Sequence, residues 1–189
     1  MTIWFTSDHH FGHKRIIELA KRPFISVEEM DEHMIVMWNR YIEKNDIVYH
    51  LGDFAFTDHT PYLEQLNGRK RLLKGNHDHS NRVKAAKGWE IIYPPYHEIK
   101  EVDGPGIVLC HYAMRVWNKS GHGAIHLYGH SHGNLVGDSQ SCDVGVDAWD
   151  FMPATLDMIK TRLKFLQDRT EPDHHAKVPR WETGCVPGV

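Results

Sequence analysis

The amino-acid sequence predicts an α/β sandwich, two packed sheets flanked by helices, and three observations predict it. Strand-length apolar runs alternate with helical periodicity in the first half; strand-like runs then dominate, and one helical pattern closes the chain over 153–167. Five polar motifs each follow a predicted strand: Asp8-His9-His10, Gly52-Asp53, Gly75-Asn76-His77-Asp78, Cys110-His111 and Gly129-His130-Ser131-His132. Loops at the carboxyl ends of strands gather on one rim of such a fold, so distant motifs converge there. Finally, no internal repeat or separating linker divides the 189 residues. They read as one domain over 1–168 with a polar, aperiodic tail over 169–189.

The elements follow in order. Ile3–Thr6 reads as a first buried strand. Lys14–Arg22 is a short helical stretch stopped by Pro23. Ser26 and Glu29 form a capping box. The helix after it places Met30, Met34, Met37, Trp38 and Tyr41 on one face, a core stripe. Asp46–Leu51 is the next strand, Pro61–Leu66 a short helix, Arg71–Lys74 a third strand and Ser80–Lys87 a helix. Glu90–Tyr93, Tyr96–Val102 and Gly106–Cys110 are strands, the last two joined through Asp103-Gly104. Ile125–Tyr128 and Val144–Val146 are further strands. Pro153–Gln167 is a helix with proline in its first turn.

Composition excludes several classes. Hydrophobic residues make up 41% and the formal net charge is -3, which fits a globular domain and not a general polyanion binder. No apolar run reaches the roughly 18–20 residues of a membrane span. Met1–Thr6 lacks the features of a signal peptide. Cys110, Cys142 and Cys185 form neither a disulfide framework nor a cysteine-rich zinc site, so a cytoplasmic location is expected. The oddity is 16 histidines, the commonest metal-ligand type.

Asp8 and His10 are two apart directly after a strand, and His130 and His132 repeat that spacing. A carboxylate such as Asp53 can bridge two ions through its two oxygens. Asn76 adds a neutral oxygen and His111 ends its own strand. Asp8, His10, Asp53, Asn76, His111, His130 and His132 thus supply four contacts to each of two divalent ions, with Asp53 shared. His77 is left over, and Asp78 beside it is placed to fix or charge-stabilise an imidazole. Asp143 and Asp147 are candidates to steady metal-bound histidines.

These motifs, in this order, resemble the calcineurin-like binuclear metallophosphoesterase superfamily, over residues 8–132. Phe11-Gly12-His13 and Trp149–Pro153 add a likeness to its small stand-alone bacterial and phage-type members. The resemblance implies a four-layer α/β/β/α sandwich. It implies one ion on Asp8, His10, Asp53 and His132, and the other on Asp53, Asn76, His111 and His130. It also implies hydrolysis of phosphate esters by a metal-activated hydroxide, with His77 protonating the leaving oxygen. His77 and Asp78 are then the catalytic pair. Manganese is the first expectation for the metal; iron, zinc and nickel suit the same donors.

The protein Ser/Thr phosphatase branch carries Gly-Asp-x-x-Asp-Arg-Gly, whereas here Gly52-Asp53 runs into Phe54-Ala55-Phe56-Thr57-Asp58. The missing arginine favours phosphodiesters over monoesters. The competing readings are a phosphomonoesterase acting on nucleotides or proteins, and a catalytically silent metal-binding scaffold. The expected partner is a small phosphate ester, nucleotide-derived in one version, with no membrane and no obligatory protein. Candidate substrate contacts are His13 and, in the loop after His111, Arg115, Trp117, Asn118 and His122. Arginine suits phosphate and tryptophan a flat leaving group.

Overall fold

A computed structural model describes residues 1–100 and 106–170. The Asp103-Gly104 turn and residues 171–189 of the tail lie outside the described residues. Among the described residues, nine strands form two sheets. The first sheet contains β1 (Ile3–Thr6), β2 (Ile47–His50), β3 (Arg69–Leu73), β4 (Trp89–Tyr93) and, at residues 154–155, β9 (Ala154–Thr155). Their order is β4-β3-β2-β1-β9, parallel except for β9. The second sheet contains β5 (Tyr96–Ile99), β6 (Ile107–Cys110), β7 (Ile125–Tyr128) and β8 (Ser141–Asp143), in that order. Its β5–β6 pair is antiparallel and the other two pairs are parallel.

The sheets pack face to face because their residues alternate. Phe5, Ile47 and Tyr49 from the first sheet meet Ile107, Leu109, Leu127 and Cys142 from the second in one buried cluster. The other face of the first sheet, with Trp4 and Val48, packs on Met30, Met34 and Trp38. These three lie on α2 (Val27–Tyr41), as the apolar stripe requires, while Tyr41 at its end is 37% exposed. Ser26 caps α2 by accepting the Glu29 N–H at 3.1 Å. On the outer face of the second sheet, Val108 packs with Trp117 and Ala124 from a loop and with Met114. Mixed α/β architecture with two sheets and flanking helices is therefore present.

Three other helices are shorter than their patterns suggest: α1 (Ile16–Leu19), α3 (Thr60–Leu63) and α4 (Ser80–Ala85). The closing helix is α5 (Leu156–Leu163), which starts three residues later than Pro153. Thr155 caps it by accepting the Met158 N–H, and Ala154 pairs with Phe5 instead. A two-residue edge strand has no periodicity, so only the fold reveals it. The strand expected at Val144–Val146 ends at Asp143; Val146 opens a 3₁₀ turn over Val146–Ala148. The start of the tail docks: Arg169 donates its N–H to Ser139 and lays its guanidinium over the Trp117 ring at 4.2 Å.

Parallel pairing in register is what positions the polar motifs. Ile3 pairs with Ile47, so β1 and β2 end together. The ladder continues beyond them, Asp8 N–H donating to Gly52 O and His10 N–H to Asp53 O, both at 3.0 Å. In the second sheet Gly129 N–H donates to His111 O at 3.0 Å. A bridge between Ser7 and Gly145 ties the two sheets together at this same end.

His9 and His50 form a buried pair behind that end, His9 Nδ1 lying 2.9 Å from His50 Nε2. Gly52 N–H donates to His50 Nδ1, so the proton of His50 sits on Nε2 and points to His9. Burial holds His9 down at about 3 and His50 well below its ordinary value. The unfolded rings bind protons below about 6.5, whereas the folded rings refuse them. Each ring therefore subtracts stability as pH falls through that value, at roughly 1.4 kcal/mol per pH unit. We expect the ring-proton NMR signals of His9 and His50 to stay neutral down to the acid unfolding transition. A midpoint near 6.5 for either ring in the folded protein would refute the paired arrangement.

Candidate metal centre

Donor atoms of Asp8, His10 and His132 lie within 4.8 Å of one another, and so do those of Asp53, His111 and His130. Asp53 Oδ2 stands between the two groups, 3.6 Å from His10 Nε2 and 3.4 Å from His111 Nε2. Asn76 Oδ1 is 3.1 Å from His111 Nε2. All seven predicted donors thus converge, from both sheets and from five loops.

Their backbones are strained. Nine non-glycine residues among those described have positive φ, and Asp8, His10, Asp53, His130 and His132 are five of them. That conformation costs an L-residue roughly 1–2 kcal/mol. Such strain persists where surrounding structure imposes it, typically at functional sites. Glycines make the close approach possible. A Cβ on Gly52 would sit 2.7 Å from His111 Nδ1, and one on Gly129 would sit 2.5 Å from Asp8 Oδ2.

The residues fit a divalent cation. Asp8 Oδ1 and both ring nitrogens of His10 are buried without a hydrogen-bond partner. Orphaned buried atoms are costly, about 1–3 kcal/mol each, unless something binds them. Tautomers are also set. His111 Nδ1 lies 2.8 Å from Leu51 O and His132 Nδ1 lies 2.6 Å from Asp147 Oδ2. Each Nδ1 therefore carries a proton, so Nε2 is the nitrogen left to meet an ion once it gives up its own.

Electrostatics point the same way. Burial pushes Asp8 up to about 7, although His111 and His132 oppose it. Burial also works against a charge on His111, but its bond to Asp53 and the charges of Asp8 and Asp53 raise it to about 9. Asp53 goes down to about 2: burial alone would raise it, and the hydrogen bonds and charges of His111, His77 and His10 prevail. Burial lowers His10 to about 2 and lowers His130 as well, so both rings stay neutral.

His77 stands beside both groups and belongs to neither. Its Nε2 is 4.0 Å from Asp53 Oδ2, its side chain is 40% exposed, and its N–H donates to Asp53 Oδ1 at 2.8 Å. It lines a cavity of about 450 Å³ together with His10, His13, Asp53, His130 and His132. Arg15, Ile16, Leu19, Ala20, Phe56 and Asn134 complete the wall.

The imidazole that Asp78 approaches is His59, its Oδ1 lying 3.9 Å from His59 Nε2. Its buried carboxylate accepts the N–H groups of Asp53 at 2.7 Å, Phe54 at 3.1 Å and Gly75 at 2.8 Å. A carboxylate surrounded by backbone donors holds two loops together. Two of the expected substrate contacts in the loop after His111 have partners elsewhere. Trp117 is buried on the outer face of the second sheet, its Nε1–H donating to Ala124 O. Asn118 donates to both oxygens of Glu98. Arg115, Trp117, Asn118 and His122 are not among the described residues lining the cavity, while His13 is. Asp147 steadies His132 as expected, but Asp143 accepts from Ser131, Gly133 and Gly145 instead of a histidine.

No family model matches the chain. It is 31% identical over 169 residues to the uncharacterized protein MJ1445 of Methanocaldococcus jannaschii, covering 83% of this chain and 88% of that one. The chain belongs to the MJ1445 family. It is also 27% identical to the Gene 66 protein of Mycobacterium phage D29, over 80% of this chain and 91% of that protein. Among solved structures, the Aquifex aeolicus protein of unknown function AQ665 superposes with a TM-score of 0.67 at 22% identity. That match spans 85% of this chain and 98% of AQ665, and it shows a shared fold.

Two features of this MJ1445-family chain escaped sequence reasoning. Arg22 is buried and makes a two-bonded pair with Asp147 at 2.8 Å while donating to the carbonyls of Asp8 and His9. It looked like the last residue of a helix. Tyr112, next to His111, packs against the His130 ring at 4.7 Å and donates to Asn76 Oδ1 at 3.3 Å. Its adjacency to a predicted ligand was the available signal.

Proposed function

We propose that the chain is a binuclear metal-dependent phosphoesterase acting on small phosphate esters, phosphodiesters before monoesters. One observation carries the reading: a triad of Asp8, His10 and His132 stands beside one of Asp53, His111 and His130, with Asp53 Oδ2 3.6 Å from His10 Nε2, buried Asp8 and His10 atoms without a hydrogen-bond partner, and His77 outside both triads. In this reading Asp8, His10, Asp53 and His132 hold one ion, and Asp53, Asn76, His111 and His130 hold the other. Manganese is the preferred metal. The four-layer form of the fold and a cytoplasmic location belong to the same proposal.

When bound, two divalent ions clamp a phosphate, stabilise its developing charge and acidify a water. The chain's own residues do the rest. Asp147 and Leu51 O hold His132 and His111 in the tautomer that leaves Nε2 free. Asp53 fixes the backbone of His77 through its Oδ1. His77 donates a ring proton to the departing oxygen, since it lines the cavity and is spared from the donor triads.

The test is hydrolysis of an activated aryl phosphodiester by the purified chain loaded with Mn²⁺. We expect turnover that a chelator abolishes and Mn²⁺ restores. The same assay with an aryl monoester sets the diester preference. No turnover with any divalent metal would defeat the enzyme reading and leave the silent scaffold.

A further inference from the structure

His77 does not stand alone at the edge of the centre. The Phe56 ring lies 5.3 Å from it and stacks on the His13 ring at 3.9 Å with only 12° between the planes. His13 in turn is 5.5 Å from the His10 ring. These side chains share the 450 Å³ cavity with Ile16, Leu19 and Ala20. Phe56 is 38% exposed and Leu19 is 65% exposed, a high value for residues next to a cluster of charged and polar groups. The cavity therefore has a polar floor of donor side chains and a wall in which Ile16, Leu19, Ala20 and Phe56 give apolar, partly aromatic surface beside Arg15 and Asn134. Its size falls in the range of small-molecule sites, which are largely apolar with a few orienting polar groups.

The position of this wall assigns it to one end of the substrate. A general acid must lie within hydrogen-bond reach of the oxygen that it protonates. If His77 protonates the leaving oxygen, the group attached to that oxygen extends from His77 along the wall that adjoins it. We propose that Phe56, stacked on His13 and sharing its cavity with Leu19, is a leaving-group subsite selective for a flat ring. The inference rests on the phosphoester reading and deepens it: the preferred substrates are phosphodiesters whose departing alcohol bears an aryl or heteroaromatic ring. An aromatic contact contributes beyond its buried area, and the wall spares the ring from water. A small alkyl group would leave most of it uncovered.

Two measurements on the full, Mn²⁺-loaded chain test this. The first is calorimetric binding of phenylphosphonate and methylphosphonate, whose P–C bonds do not hydrolyse. We expect phenylphosphonate to bind about tenfold tighter, and Phe56→Ala to remove most of that ratio. Phe56→Leu keeps apolar bulk without a flat face and guards against misfolding; it should also narrow the ratio. The second is kcat/KM for two diesters with aryl and fluorinated alkyl leaving groups of matched acidity. The aryl diester should be preferred through KM, and Phe56→Leu should erode that preference. Equal phosphonate affinities in the wild-type chain, or a ratio untouched in both variants, would overturn the subsite while leaving hydrolysis intact. Failure to bind either phosphonate, with no hydrolysis of either diester, would overturn the subsite together with the phosphoester reading.

Discussion

Replacing His77 with Ala is expected to lower kcat by about 10²–10⁴-fold on a diester with a poor leaving group. That corresponds to roughly 3–5 kcal/mol of transition-state stabilisation. The loss should shrink with nitrophenolate as leaving group, because a stable phenolate departs without a proton. Metal content should hold, since His77 lies outside both donor triads. The dependence on leaving-group acidity separates proton transfer from a positioning role. His77 N–H bonds to Asp53 Oδ1 through the backbone, and Ala preserves that bond. Equal losses on good and poor leaving groups would strip His77 of the acid's role. Lost metal would make it a ligand.

Asp78→Ala should act on stability before chemistry. The substitution strands the N–H groups of Asp53, Phe54 and Gly75, now satisfied by one buried carboxylate. Unpaired buried donors cost about 1–3 kcal/mol each, so a total loss near 3–5 kcal/mol is expected. For a domain of this size that lowers Tm by roughly 6–20 °C. Asp78→Asn should fail nearly as badly, because its amide group turns a donor toward donors. The melt is run with chelator, so that metal contributes nothing to the difference. An unchanged melting temperature with lost turnover would return Asp78 to the chemistry.

Asp78 illustrates where the sequence stops. A motif names residue types and their order along the chain. It does not say whether a carboxylate turns to the imidazole next to it or to the backbone of a loop twenty-five positions earlier. The contact with Asp53 is made because β2 and β3 are adjacent and parallel, which brings their following loops together. Trp117 shows the same limit in reverse. Its place between two predicted ligands suggested a substrate contact, but the loop folds back over the outer face of the second sheet and buries the ring. Phe56, three residues after Asp53, carried no signal except that spacing, and it lines the cavity.

The elements with strong local physics were legible. Short apolar runs exposed β1 and β2, and the capping box and apolar stripe exposed α2. Local energetics are enough there, since each pattern buries one face whatever the rest does. The strand β9 and the start of α5 were not, because pairing of Ala154 with the distant Phe5 sets the first and thereby the second.

The sequence by itself determined the inventory: seven oxygen and nitrogen donors, a spare histidine and strands to carry them to one rim. Those follow from residue type and short-range spacing. Only the tertiary structure decided the distances that draw the donors into two triads, the strained backbones that aim them, and the cavity that Phe56 and Leu19 line together with His77. Each depends on strand order and on how two sheets meet at their carboxyl ends, a long-range pairing that no local pattern encodes.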